Sequence, residues 1–182
     1  MQRENLKKME EFEGLRLDAY LDPIGVPTIG YGHTAGVKLG QKITQQQAEA
    51  FLAADIKSAE KAVDGLKLPL NANQRDALTS FTYNCGAGNL SKLTANRTLP
   101  QIADAIMLYN KAGGSVLLGL VRRRTWEKEL FNTRVQIKPN EQIATEVLDD
   151  IYGTGAARKS VLENSGYDYK AIQAIVNQML KK

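Results

Sequence analysis

The 182-residue sequence predicts an α+β fold, mainly α, followed by a small three-helix bundle. Three observations lead there. Apolar residues recur at helical spacing over most of the chain, and one early stretch alternates like a strand around an Asp-Pro-Ile-Gly turn. A polar, proline-bearing segment then sets the final part apart from the rest.

Composition narrows the class. Hydrophobic residues make up 43%, enough for one ordinary domain or a domain with an appendage, and no apolar run is long enough to span a membrane. The start, Met-Gln-Arg-Glu-Asn-Leu-Lys-Lys-Met-Glu, is charged and amphipathic, without the apolar region and cleavage site of a secretory signal. Cys85 is the single cysteine, so no internal disulfide forms, and one His with one Cys argues against a dedicated metal site. A formal charge of +4 suits an acidic partner: nucleic acid, an anionic membrane or an anionic cell wall. The sequence has no Walker-type loop, dinucleotide fingerprint or zinc-finger spacing, which weighs against nucleotide and nucleic-acid ligands.

The first helix carries Leu6, Met9 and Phe12 on one stripe and ends at Glu13-Gly14, glycine being the residue that best closes a helix. A carboxylate there meets the negative end of the helix dipole, which together with partial burial would push its pKa upward. The strand that follows turns at Asp22-Pro23-Ile24-Gly25, a type I pattern, and returns with Thr28. One acid held neutral and one carboxylate left ionised is the equipment for breaking a glycosidic bond. Carboxylates at helix ends and Asp-Pro turns are also commonly structural, so residue types alone leave both readings open.

A third short strand is expected around Gly36–Lys42. Thr44 with Gln47 makes a capping box for a helix reaching about Asp64, its apolar face built from Ala48, Phe51, Leu52, Ala59 and Val63. Leu68-Pro69-Leu70-Asn71 breaks the pattern, and helical spacing resumes from Arg75 to about Cys85. Cys85 reads as a buried small residue, since no His-plus-acid arrangement is visible to activate it. Thr98-Leu99-Pro100 precedes a helix over Ile102–Tyr109, and Gly113-Gly114 interrupts the chain. Arg123 or Arg124 stands three or four residues before Glu127, a spacing that allows ion pairing on a solvated helix face. His33, the single histidine, reads as a structural hydrogen-bonding residue.

Residues 134–141 read as a linker and residues 142–182 as an independent unit. Its apolar positions, Ile143, Val147, Leu148, Val161, Leu162, Ile172, Ile175, Val176 and Leu180, imply three short helices around one core. Five basic and five acidic residues cancel there, so the whole positive excess lies before it.

Glu-Gly-Leu-Arg-Leu, Tyr20, Asp22, Gly25 and Thr-Ile-Gly-Tyr-Gly-His resemble, in order and spacing, the catalytic segment of phage-type lysozymes (glycoside hydrolase family 24). The run from Gln74 to Gly86 is similar to a second signature of that family, and Gly119 to Leu130 to a third. The resemblance implies a two-lobed domain over residues 1–133, with a small β-hairpin lobe and a helical lobe joined by a long helix. It also implies hydrolysis of the β-1,4 bond between N-acetylmuramic acid and N-acetylglucosamine, with inversion and without cofactor or metal. Glu13 would be the general acid, and Asp22 with Thr28 would hold and activate the attacking water.

The final segment resembles the cell-wall-binding repeat of the CW-seven type through Ile-Ala-x-Glu-Val-Leu, Gly-x-Gly-x-x-Arg, Gly-Tyr-Asp-Tyr and Val-Asn. Tyr152, Gly153 and Arg158 are its candidate wall-binding residues, with Tyr152 where that repeat usually has tryptophan. The pair of resemblances implies an endolysin whose partner is bacterial peptidoglycan, acting as a monomer, with no nucleic acid and no stable membrane insertion. It would stay in the host bacterial cytoplasm until a holin-type lesion releases it to the wall. A lytic transglycosylase on the same bond, or a non-catalytic wall-binding protein, remains the alternative.

Overall fold

The computed structural model describes residues 1–133 and 138–181; positions 134–137 of the expected linker lie outside them. Two compact units are present. One comprises residues 1–68 and 74–132, the other residues 133–182 with the short segment 69–73. Among the described residues no helix is long and apolar enough to cross a membrane.

In the first unit, α1 (Arg3–Glu13) buries Met9 completely, together with Asn5, whose amide donates to Asp76 over 2.8 Å. Burying a side chain of that size is worth about 1.5–3 kcal/mol. The helix stops at Gly14, where φ +69° and ψ 159° define a backbone region essentially reserved for glycine. Strands β1 (Arg16–Leu21) and β2 (Pro27–Gly30) then form an antiparallel hairpin pairing Arg16 with Gly30, Tyr20 with Thr28 and Leu21 with Pro27. The expected third strand does not form. Backbone bonds from Val37 to Thr34 and from Gln41 to Lys38 fold this stretch into turns, leaving one bridge between Asp18 and Lys42.

Helix α2 (Gln45–Asp64) starts at the Thr44–Gln47 capping box, both arms of which are made. It buries Ala48, Leu52, Ile56, Ala59 and Val63, one face at helical spacing. Its first half shares a core with Met9, Ile29, Tyr31, Val37 and Ile43. Helix α3 (Ala72–Cys85) is buried on every side from Asp76 to Thr82, as befits a helix enclosed by others.

Around α3 lie α4 (Ala87–Thr94), which the sequence reading does not anticipate, and α5 (Leu99–Ile106). Pro100 sits in the first turn of α5, where a missing N–H costs nothing. A two-residue turn at Gly113-Gly114, with φ of +56° and +82°, joins the two-residue strands β3 (Lys111–Ala112) and β4 (Ser115–Val116). Helix α6 (Leu118–Asn132) closes the unit.

The second unit contains α7 (Asn140–Leu148), α8 (Gly155–Asn164) and α9 (Tyr169–Met179). Its core is Ile143, Ala144, Val147, Leu162, Ile172 and Val176. Leu148, Val161 and Leu180, expected inside, are exposed, because the neighbouring Val147 and Leu162 take the inward positions and Met179 packs against the core in place of Leu180. The backbone N–H of Lys138 donates to the Tyr167 hydroxyl over 2.9 Å, and its ammonium donates to Glu146 over 2.7 Å.

Candidate active site

Glu13 is delivered by the last turn of α1, and Arg123 of α6 donates to its Oε1. The same guanidinium reaches Glu127 Oε1 at 3.2 Å and the Ser80 carbonyl at 3.1 Å. Ser80 donates its hydroxyl to Glu127 over 2.6 Å, and Arg124 Nη2 donates to Glu127 over 2.9 Å. A second contact, Arg124 Nε to Glu127 Oε2 at 2.8 Å, is an ion pair without hydrogen-bond geometry.

Arg123, Arg124 and Glu127 are all buried, which corrects the expectation of a solvated face. The spacing does pair them, but two cations and the Ser80 hydroxyl compensate one carboxylate inside the core. Burial pushes the Glu127 carboxyl upward, against the pull of Arg124 and then Arg123.

Cys85 is half-buried rather than buried and accepts from Arg124 Nη1 at 2.8 Å. Burial raises its thiol pKa despite the guanidinium, which fits a packing role.

The other oxygen of Glu13 faces Gly32. A Cβ at that position would lie 3.4 Å from Glu13 Oε2 and 3.7 Å from the Tyr83 hydroxyl, and Gly32 holds φ +92°. Tyr83 donates to the Tyr31 carbonyl over 2.5 Å. Burial first, then the Glu13 and Asp55 carboxylates, push its phenol well above the ordinary value. Glu13 thus stands next to two hollows. One of about 680 Å³ is lined by Glu13 itself, Phe12, Trp126 and neighbours on α6. The other, of about 360 Å³, runs past Gly32, His33, Asp55 and Tyr83. His33 bonds Asp55 through Nδ1 at 2.7 Å and the Ala35 carbonyl through Nε2 at 3.1 Å, and stacks on Phe51.

Asp22 and Thr28 are brought together at the closed end of the hairpin. Asp22 Oδ1 accepts from Ile24 N at 3.0 Å and Val26 N at 2.8 Å, and Thr28 donates to the Val26 carbonyl at 3.0 Å. Glu13 adjoins the open end, where Arg16 pairs with Gly30. Neither Asp22 nor Thr28 lines the larger hollow. In the second unit Tyr152 donates to Glu146 over 2.6 Å, and Arg158 Nε donates to the Gly153 carbonyl over 2.8 Å. The tail candidates therefore cluster at the connection between α7 and α8.

The phage lysozyme family matches residues 10–127, covering α1 from its last turn to the Arg123–Glu127 cluster. The chain belongs to the phage lysozyme family. A CW_7 repeat matches residues 141–180 behind that family domain.

Among phage lysozyme relatives, the endolysin of Lactococcus phage c2 is 40% identical over 152 residues, 81% of this chain and 66% of that protein. The chain thus spans slightly under two thirds of that relative's length. The endolysin of Salmonella phage P22 is 38% identical over 137 residues, 69% of this chain and 93% of that one.

Solved phage lysozyme-like structures agree in fold. The muramidase domain of SpmX from Asticaccaulis excentricus superposes with a TM-score of 0.64 at 35% identity, covering 73% of this chain and 97% of that one. The endolysin from Escherichia coli O157:H7 phage FAHEc1 gives 0.62 at 35%, covering 76% and 98%. The residue that sequence reasoning missed is Arg123 as the partner of Glu13, 110 positions away. Its spacing to Glu127 was visible; a contact across the fold has no local signal.

Proposed function

We propose that the chain is a phage endolysin: a muramidase that hydrolyses the β-1,4 bond between N-acetylmuramic acid and N-acetylglucosamine with inversion. The observation that carries this reading is Glu13 itself, a carboxyl beside open space with one oxygen held by Arg123 and the other facing Gly32. As general acid, Glu13 gives its proton to the glycosidic oxygen as the bond to the anomeric carbon breaks. Water adds to that carbon from the opposite face and loses its proton to the Asp22 carboxylate. Asp22 Oδ1 accepts from the turn, and the base role in this reading falls to Oδ2. Thr28 spends its hydroxyl proton on Val26, so its lone pairs accept from that water.

The assignment of residues 1–133 to catalysis, 134–141 to a linker and 142–182 to wall binding belongs to this proposal. Tyr152 and Gly153 of the α7–α8 connection, with Arg158 of α8, form the wall-facing cluster, and the +4 charge before residue 142 draws the enzyme to an anionic polymer. The protein acts as a monomer on peptidoglycan, after a holin-type lesion releases it from the host cytoplasm. Mass spectrometry of products from purified peptidoglycan tests the chemistry. Hydrolysis adds one water per cleaved bond; anhydro-sugar products would mean a transglycosylase, and intact polymer a wall-binding protein.

A further inference from the structure

The larger hollow has features that general acid catalysis does not require. Phe12 and Trp126 stand in its wall with ring centroids 5.5 Å apart, an apolar surface of the kind on which sugar C–H faces rest. Its volume of about 680 Å³ falls in the range of about 300–1,000 Å³ typical of ligand hollows.

The charges lining it are nearly all matched. Lys8 pairs with Glu11 at 2.6 Å, and Arg123 pairs with Glu13. Arg122 is exposed and, among the described residues, has no carboxylate opposite it. An uncompensated guanidinium on the rim of a hollow attracts an anion, and its planar fork fits a carboxylate.

The hollow is lined by the proposed proton donor and not by Asp22 or Thr28. The donor protonates the oxygen that departs, whereas water approaches the other face of the sugar that stays. A hollow shared only with the donor therefore lies on the departing side. In an alternating polymer cut after N-acetylmuramic acid, the departing residue is N-acetylglucosamine. The sugar beyond it is again a muramic acid, which bears a carboxylate.

We infer that this hollow receives the departing disaccharide and that Arg122 pairs with the carboxylate carried by its second sugar, either on the lactyl group or on the stem peptide. The inference rests on the proposed muramidase reading. Arg122 is a specificity-determining residue, and the aromatic wall holds the sugar that precedes its anion.

The test uses the full chain and soluble glycan fragments in three forms: native, stripped of stem peptides, and with every carboxylate converted to carboxamide. Reducing-end release gives kcat and KM for wild type and for Arg122→Glu, Arg122→Gln and Arg122→Lys. On native or on stripped fragments Arg122→Glu and Arg122→Gln should raise KM about tenfold with kcat and the pH profile kept, and Arg122→Lys should recover part of the loss. On carboxamide fragments the variants should match wild type. The lactyl carboxyl is an amide wherever a stem peptide is attached and is freed by stripping. A loss seen only on stripped glycan therefore assigns the lactyl carboxylate, and one seen only on native fragments assigns the stem peptide. A loss seen on both shows that Arg122 reaches either.

An unchanged KM on both native and stripped fragments, or the same loss on carboxamide fragments, overturns the inference. A wild type that releases no reducing ends overturns the muramidase reading instead.

Discussion

Arg123 and Glu13 lie 110 residues apart in sequence, yet one guanidinium of α6 fixes the carboxylate that ends α1. Because that guanidinium also serves Glu127 and the Ser80 carbonyl, three groups depend on its planar fork. Arg123→Lys offers a single ammonium and cannot span them. Turnover should fall roughly tenfold as Glu13 loses its fixed direction. Arg123→Met should lower stability by about 3–5 kcal/mol in urea unfolding, since two carboxylates lose a buried partner. A midpoint equal to wild type would show that the pair is incidental.

Glu13→Gln keeps an oxygen for Arg123 and removes the proton. Loss of general acid catalysis should cost on the order of a hundred- to ten-thousand-fold in turbidity clearance. The variant should remain folded, with a stability change of about 1–3 kcal/mol from the weaker bond to the guanidinium. Clearance at the wild-type rate would remove Glu13 from the mechanism.

Asp22→Asn should separate charge from architecture. Its amide oxygen still accepts from Ile24 and Val26, so the turn survives while the base is lost. Thr28→Ala deletes a hydroxyl in a site only 4% exposed, at a cost of about 1 kcal/mol. Both variants should turn over slowly yet sediment with peptidoglycan as wild type does. If both cleave normally, the water is held elsewhere.

Acid stability has a specific locus in Arg75. Its bond to Asp64 holds that carboxyl below the ordinary range, with burial opposing. In Glu60 burial also opposes, but the N-terminal ammonium and Arg75 outweigh it and lower the carboxyl. A depressed folded-state pKa means stability that is present above the ordinary carboxylate value and lost as pH falls through the lowered one. Melting temperatures of wild type and Arg75→Met should therefore differ most above the ordinary carboxylate range and converge only as pH falls below that range through the lowered values. A gap that is constant with pH would assign the effect to packing.

What was legible in the sequence was what local chemistry encodes. Thr44 and Gln47 announce the start of α2 because a capping box is complete within four residues, and Asp22-Pro23 with Gly25 announces the hairpin turn for the same reason. Helix α4 offered only Leu90 and Leu93 as buried anchors, too few to set a period. The two-residue strands β3 and β4 are shorter than one alternation. Gly36 and Gly40 look compatible with a strand on paper, but both adopt positive φ, which bends the chain out of the hairpin's plane. The charged residues of α6 misled most. Arg123, Arg124 and Glu127 have the same spacing whether they face water or the core, and only the partners from α1 and α3 decide which.

The tail can be tested in the full chain on a Glu13→Gln background, so that binding is read without cleavage. Arg158→Ala frees the Gly153 carbonyl and should reduce retention on purified walls about fivefold or more, the equivalent of about 1 kcal/mol. Tyr152→Phe removes the bond to Glu146 and should have a smaller effect. Retention unchanged in both variants would detach this cluster from wall recognition.

The charged interior of α6 bears on how the proposed muramidase tolerates improvement. Replacing a buried ionic cluster with well-packed apolar side chains of similar volume is often neutral or stabilising by about 1–4 kcal/mol. A selection for heat resistance alone would thus favour apolar residues at positions 80, 124 and 127, and it would leave Arg123 without the neighbours that aim it. The resulting protein would melt later and clear cells more slowly. Thermal robustness and catalytic speed compete for the same side chains here, so stabilising substitutions are better sought on the exposed faces of α2 and α4 than in this core.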